Sequence, residues 1–303
     1  VIDHNTFARP ESNESPCLEH VLYWVWERET IRIAKENNYK GELTTDPILS
    51  KYKFCNVRRQ DDRVSKWIID NMLVHASPED DDIWFISAIA RYVNWPPMLH
   101  ELLSEGLVPS RVEDFDYKKF GECIDDVTRA GGKAWAGSYM TFPAKVIAGQ
   151  AKGAATAQHI LAPLKNRAYN IRKAIASNRL ENAFNAMVGA YGWQPFMCGQ
   201  VCADLSYVEP LCKAIDLKTW APLGPGSQRG LSRLDGLHLQ QRWFQGDFNR
   251  RLIEVMDTIQ SELDIDCFSL HNVQNVMCEC DKMWRVLYGE GRPRSIYKPE
   301  IAF

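Results

Sequence analysis

The sequence has no surplus of positive charge: 36 Lys and Arg against 39 Asp and Glu leave a net charge of −3. That excludes a globally basic nucleic-acid binder, so any contact with DNA must come from a local basic patch on a near-neutral body. No apolar run is long enough to cross a bilayer, and no secretory leader is recognisable. The expectation is a soluble, membrane-free protein of the cytoplasm, or of the host cytoplasm if the source is viral. No G-x-x-x-x-G-K-[ST] loop occurs, which excludes a self-contained P-loop kinase, and no G-x-S-x-G nucleophile elbow occurs. The nine cysteines are odd in number and scattered, which fits a reducing compartment better than a disulfide framework. Neither Cys198 with Cys202 nor Cys278 with Cys280 has C-x-x-C spacing, so no metal site is expected. Alternating strand patterns, internal repeats and low-complexity segments are all missing.

What is present is helical periodicity. Leu18, Val21, Leu22 and Val25 recur on one face. Further helices are expected near 61–74, from the Ser77-Pro78-Glu79-Asp80 start to Tyr92, from Pro96-Pro97, and over 116–129, closed by Gly131-Gly132. The Ala/Gly-rich 145–161 segment suits close helix packing. Segments 168–175, 180–188 and 196–213 follow. Residues 238–263 carry a stripe of Leu239, Trp243, Phe248, Leu252, Val255, Met256, Ile259 and Leu263. Residues 269–287 repeat the pattern through Val273, Met277, Cys280, Trp284 and Leu287. The fold class is all-α. Residues 1–16 read as a polar arm, and 17–303 as one helical catalytic domain or two interleaved lobes.

Four stretches could carry chemistry. Leu223-Gly224-Pro225-Gly226-Ser227-Gln228-Arg229-Gly230 reads as a sharp turn with Ser227 capping the next helix. Uncovered backbone N–H groups, with Arg229 and Arg233, would seat a DNA phosphate. The plain alternative is a Gly/Pro loop. Phe54-Cys55-Asn56-Val57-Arg58-Arg59-Gln60-Asp61-Asp62-Arg63 packs three arginines and two aspartates into six positions. The arginines can fork onto phosphate oxygens, and the aspartates can hold them or take a proton. His271, Asn275, Glu279 and Lys282 share one helix face, flanked by Asp281 and Arg285. Spacing alone favours a surface i, i+3 pair there. Tyr191-Gly192-Trp193-Gln194-Pro195-Phe196, with Gln200 and Asp204 one turn apart, offers stacking rings and a base-reading amide, or simply an aromatic-pinned helix start.

Taken together and in order, several segments resemble one family. They are Thr44-Thr45-Asp46-Pro47-Ile48-Leu49, the 54–65 segment, Gly131-Gly132-Lys133 through Tyr139, Pro195-Phe196 with Gln200 and Asp204-Leu205, Gly224-Pro225-Gly226-Ser227 with Arg229-Gly230, and Cys278-Glu279 with Asp281-Lys282. The sequence is similar to the α-glutamyl/putrescinyl-thymine pyrophosphorylases, also called the helical domain associated with 5-hydroxymethyluridine DNA kinases. It departs from the family pattern at Gln274-Asn275, where a Glu-His pair is expected, and at Cys280 and Met283, where aromatics are.

The resemblance implies a fold like that of helix-hairpin-helix DNA glycosylases. It also implies a role in the hypermodified thymine of bacteriophage DNA. A kinase places pyrophosphate on 5-hydroxymethyluracil, and an amine or amino acid then displaces it. On that reading the base leaves the stack. Arg58, Arg59 and Lys282, with Arg63, hold the departing anion, and Asp62, Glu279 or Asp281 takes the proton. Asn56, Tyr191, Phe196, Gln200 and Asp204 form the base pocket, with Trp193 as a further wall. The DNA backbone rests on Gly224, Gly226, Ser227, Arg229, Gly230 and Arg233. Partners would be DNA carrying modified thymine, a small amine or amino acid donor, and a 5-hydroxymethyluridine DNA kinase. No cofactor is called for, with Mg²⁺ open as a counter-ion to pyrophosphate. A glycosylase-like hydrolase and a non-catalytic reader of modified DNA are the alternatives.

Overall fold

Seven consecutive residues, His20 to Trp26, are buried in the first helix, α1 (Leu18–Glu36). A stretch buried on every side must be enclosed by other elements, and α1 packs against α11 (Gln245–Leu263) and α12 (Leu270–Leu287), with Leu231 of α10 (Pro225–Leu234) in the same core. The computed structural model describes residues 7–77, 79, 82–136, 149–293 and 295–297. The architecture is all-α. Among the described residues the only β pairing is an isolated bridge between Tyr52 and Ile296. Among them, too, no helix is long and apolar enough to cross a membrane.

The chain divides into two units, Val1–Asp62 with Lys218–Ala302, and Arg63–Leu217. In the first, Trp24, Val25, Phe248, Leu252, Val255, Val273, Val276, Cys280 and Trp284 make a fully enclosed core. Asp46 shapes the loop after α1. Its carboxylate accepts the Ile48 and Leu49 N–H groups at 2.7 and 2.8 Å and the Tyr23 hydroxyl at 2.9 Å.

The second unit holds α2 (Arg63–Ile68), which runs into a π turn over Ile69–Leu73. It continues with α3 (Ile83–Val93), α4 (Pro96–Ser104), α5 (Tyr117–Arg129), α6 (Lys152–Thr156), α7 (Ala168–Ala176), α8 (Leu180–Met187) and α9 (Pro195–Leu205). The Ala/Gly-rich segment packs closely at Gly153 and Ala154. A Cβ on Gly121 of α5 would lie 2.7 Å from Ala154 Cα, and Asp125 accepts the Gly153 and Ala154 N–H groups at the start of α6.

Several boundaries differ from the sequence expectation. The Ser77-Pro78-Glu79-Asp80 start is not a cap: α3 begins at Ile83 with Asp82 before it, while Pro78 and Asp80 lie outside the described residues, as do Tyr139 and residues 145–148. α9 stops at Leu205, ahead of Pro210, which cannot donate a helical hydrogen bond. α11 begins at Gln245, so Leu239 and Trp243 precede it.

The glycine stretch is also a correction. It forms no hairpin between two helices. Gly224 is the N-cap and residues 225–230 are already helix. Its glycines let α10 approach α12: a Cβ on Gly226 would sit 2.4 Å from Cys278 Sγ, and one on Gly230 2.3 Å from the Met277 carbonyl oxygen. Gly230→Ala is therefore expected to lose about 1–3 kcal/mol through overpacking, read as a lower urea midpoint at unchanged slope.

Candidate active site

α12 is capped by Ser269, whose hydroxyl accepts the Asn272 N–H at 3.4 Å. Its apolar stripe faces the core as expected. Its polar stripe does not face water: His271, Asn275 and Glu279 are 4%, 8% and 6% exposed. The surface-pair reading of Glu279 and Lys282 therefore fails, because the loop from Lys53 to Asp62 lies over this face. The Cys55 N–H donates to Glu279 at 2.9 Å. Asn272 accepts the Arg59 N–H at 3.1 Å and donates to the Gln60 side chain at 3.1 Å and to the Cys267 carbonyl at 2.9 Å. Lys282 donates to Glu279 and to the Lys53 carbonyl, with its ammonium 4.5 Å from the centre of the Phe54 ring.

The other wall is α1. Arg28, buried on the stripe of Val21 and Val25, donates to the Cys55 carbonyl and the Asn56 side-chain oxygen at 3.1 Å each and to the Phe54 carbonyl at 3.4 Å. Asn56 passes this order on. Its N–H donates to Asp62 and its Nδ2 to the Asp61 carbonyl, both at 2.8 Å. Arg59 lies 3.9 Å from Asp62, and Arg58 lies 3.2 Å from Asp61 and 3.9 Å from Glu29. The loop thus brings together Asn56, Arg58, Arg59, Asp62, Glu279 and Lys282, six of the residues singled out by pattern.

Burial raises the Asp62 carboxyl above the ordinary aspartate range, with Glu279 acting the same way and Arg59, the Asn56 N–H and Arg28 pulling against it. A carboxylate that binds its proton more tightly is a better base near neutral pH. Burial pulls Lys282 down, but Glu279 outweighs it and the ammonium is favoured. Burial, helped by Asp62 and Glu279, raises the Cys55 thiol and keeps it protonated, so Cys55 is no nucleophile.

The remaining candidates lie elsewhere. Asp281 is fully buried on the side of α12 that faces α10. It accepts from Arg229 at 2.9 Å and Arg233 at 3.0 Å, and Arg285 lies 3.4 Å away. With three guanidinium groups around it, it is no free proton acceptor. Arg233 is thereby buried, also binding Glu290, and Arg229 is held to Asp281 with its side chain still partly exposed. Ser227 is no cap: it is buried at the third helical position, donating to the Gly224 carbonyl and accepting from Gln274. Of the phosphate seat expected on Gly224, Gly226, Ser227, Arg229, Gly230 and Arg233, α10 packing on α12 buries Gly226, Ser227, Gly230 and Arg233, while Gly224 and Arg229 stay partly exposed.

Arg63, Tyr191, Phe196, Gln200 and Asp204 belong to the second unit, Asn56 to the first. Arg63, Tyr191 and Phe196 are exposed, and Gln200 is buried. Asp204 is fully enclosed, accepting from Ser87 Oγ and Arg91 Nε at 2.7 Å each, so it does not read a base. Trp193 is also core, its indole N–H donating to the Ile160 carbonyl at 3.0 Å. Sequence reasoning missed Arg28 and Asn272. Arg28 did carry a signal: it falls three residues after Val25, on the buried stripe, where a charge needs a specific partner.

The family model described as 5-hmdU DNA kinase, helical domain, matches residues 15–292. No curated protein and no solved structure matches.

Proposed function

Because the chain belongs to the family of the 5-hmdU DNA kinase helical domain, we propose that it acts on 5-pyrophosphoryloxymethyl-uracil in DNA and replaces the pyrophosphate with an amine or amino acid. The observation that carries this is Asp62: a carboxyl with raised proton affinity, held beside Arg59 in a wall that also presents Arg58 and Lys282. Displacement needs both functions together. The amine nitrogen attacks the 5-methylene carbon. The C–N bond forms as the C–O bond breaks, and pyrophosphate leaves with the bonding pair. The nitrogen's extra proton passes to Asp62. Arg58 and Arg59, as planar forks, and Lys282, as a point charge, stabilise the charge that builds on the departing oxygen. The reacting base must stand out of the stack for its 5-substituent to reach this wall. A kinase acting upstream would supply the pyrophosphorylated base.

The test is to incubate the protein with duplex DNA carrying the pyrophosphorylated base and a mixture of amines, with and without Mg²⁺, and to weigh the digested nucleosides. Transfer gives intact DNA with an amine-bearing nucleoside. Abasic sites would assign a glycosylase instead, and an unchanged nucleoside bound tightly in DNA would assign a reader.

A further inference from the structure

We infer that Arg28 is a positioning residue of this reaction, fixing the Phe54–Asn56 segment and, through Asn56, the carboxylate of Asp62. The inference rests on the transfer reading above. Three acceptors from three successive residues converge on one guanidinium: the Phe54 carbonyl, the Cys55 carbonyl and the Asn56 amide oxygen. Only a planar fork satisfies them together; an ammonium on a flexible stem is a point donor. The same segment carries the two N–H groups that hold the carboxylates, Cys55 to Glu279 and Asn56 to Asp62. One buried side chain on α1 therefore sets the placement of both. Because Arg28 is 6% exposed, its charge is weakly screened at this range.

The charged and titratable groups facing Asp62 are Arg59 from its own loop, Arg28 from α1, and Glu279 from α12; Cys55 feels both carboxylates and Lys282 neutralises Glu279. Removing the Arg28 charge leaves Asp62 and Glu279 with one cation fewer between them. Asp62 should then hold its proton to higher pH.

Arg28→Lys and Arg28→Gln separate the fork from the charge. Loss of the fork is expected to lower kcat by about 10²-fold in both variants with KM little changed, the size seen when a reacting group is misplaced by about 1 Å. The acidic limb of the kcat–pH profile should move to higher pH in Arg28→Gln and stay near its wild-type place in Arg28→Lys. The Asn56 amide, observed by NMR hydrogen exchange, should exchange faster in both, and the Asp62 carboxyl, titrated by ¹³C NMR, should shift upward in Arg28→Gln. If the wild-type protein transfers no amine, the transfer reading falls. The Asn56 exchange and the Asp62 titration still judge Arg28, and if both match wild type in both variants the positioning role is overturned. Wild-type kcat in Arg28→Lys overturns it as well.

Discussion

Asp62→Asn is expected to slow amine transfer by about 10²–10⁴-fold, the range for losing a positioned general base, while the protein stays folded. The substitution keeps an oxygen to accept the Asn56 N–H at the position where Asp62 accepts it at 2.8 Å, so the loop should hold its shape. The same change has a predictable sign in stability. Burial lifts the Asp62 carboxyl above its ordinary value of 3.8, so the folded protein binds the proton more tightly than the unfolded chain. Below 3.8 both states are protonated and the group is neutral to stability. As pH rises from there through the folded-state value, ionisation progressively destabilises the fold. Asn removes that slope, so the variant should melt at or above wild type at pH 7 and should lose this advantage near pH 3. Single-turnover transfer and thermal melts at both pH values check the pair of effects. A variant that transfers at the wild-type rate would take Asp62 out of the chemistry.

Asp204→Ala should bring the largest loss of stability, about 3–5 kcal/mol, because it leaves Arg91 buried without its carboxylate. Arg91 is 2% exposed and Asp204 fully enclosed, and the same carboxylate also accepts the Ser87 hydroxyl. Arg91 also donates to the Ser65 hydroxyl at 3.0 Å, a neutral acceptor that does not replace the lost negative charge. Urea unfolding measures the loss directly. A drop of about 0.5 kcal/mol, the size for an ordinary surface change, would mean that Asp204 is not structural and would reopen its part in binding the base.

The two aspartates also show where the sequence was legible. The charge run at 58–62 announced itself locally, because Phe54 and Val57 flank it and a charged loop with buried neighbours is unusual. Gln200 and Asp204 looked alike to it, polar residues one turn apart on an apolar helix. The role of Asp204 depended on Arg91, a residue 113 positions away that spacing cannot find. Glu279 and Asp281 were indistinguishable by pattern, yet two residues turn a helix by about 200°, which sends one to the loop and the other to α10. Helices with a capping side chain, α5 behind Asp116 and α12 behind Ser269, began within a residue of where they were expected. α11 did not, because Leu239 and Trp243 continue its apolar spacing outside the helix. The glycine stretch misled for a related reason: Gly226 and Gly230 serve helix approach, and sequence alone does not separate that use from a phosphate turn.

Counting pyrophosphate released against amine-bearing nucleoside formed, in wild type and in Asp62→Asn, is the most direct test of the site. One pyrophosphate per adduct is expected from wild type, with both products lost together in the variant. Pyrophosphate released without adduct, leaving 5-hydroxymethyluracil, or adduct formed at full rate without Asp62, would contradict a displacement carried by the loop between α1 and α12.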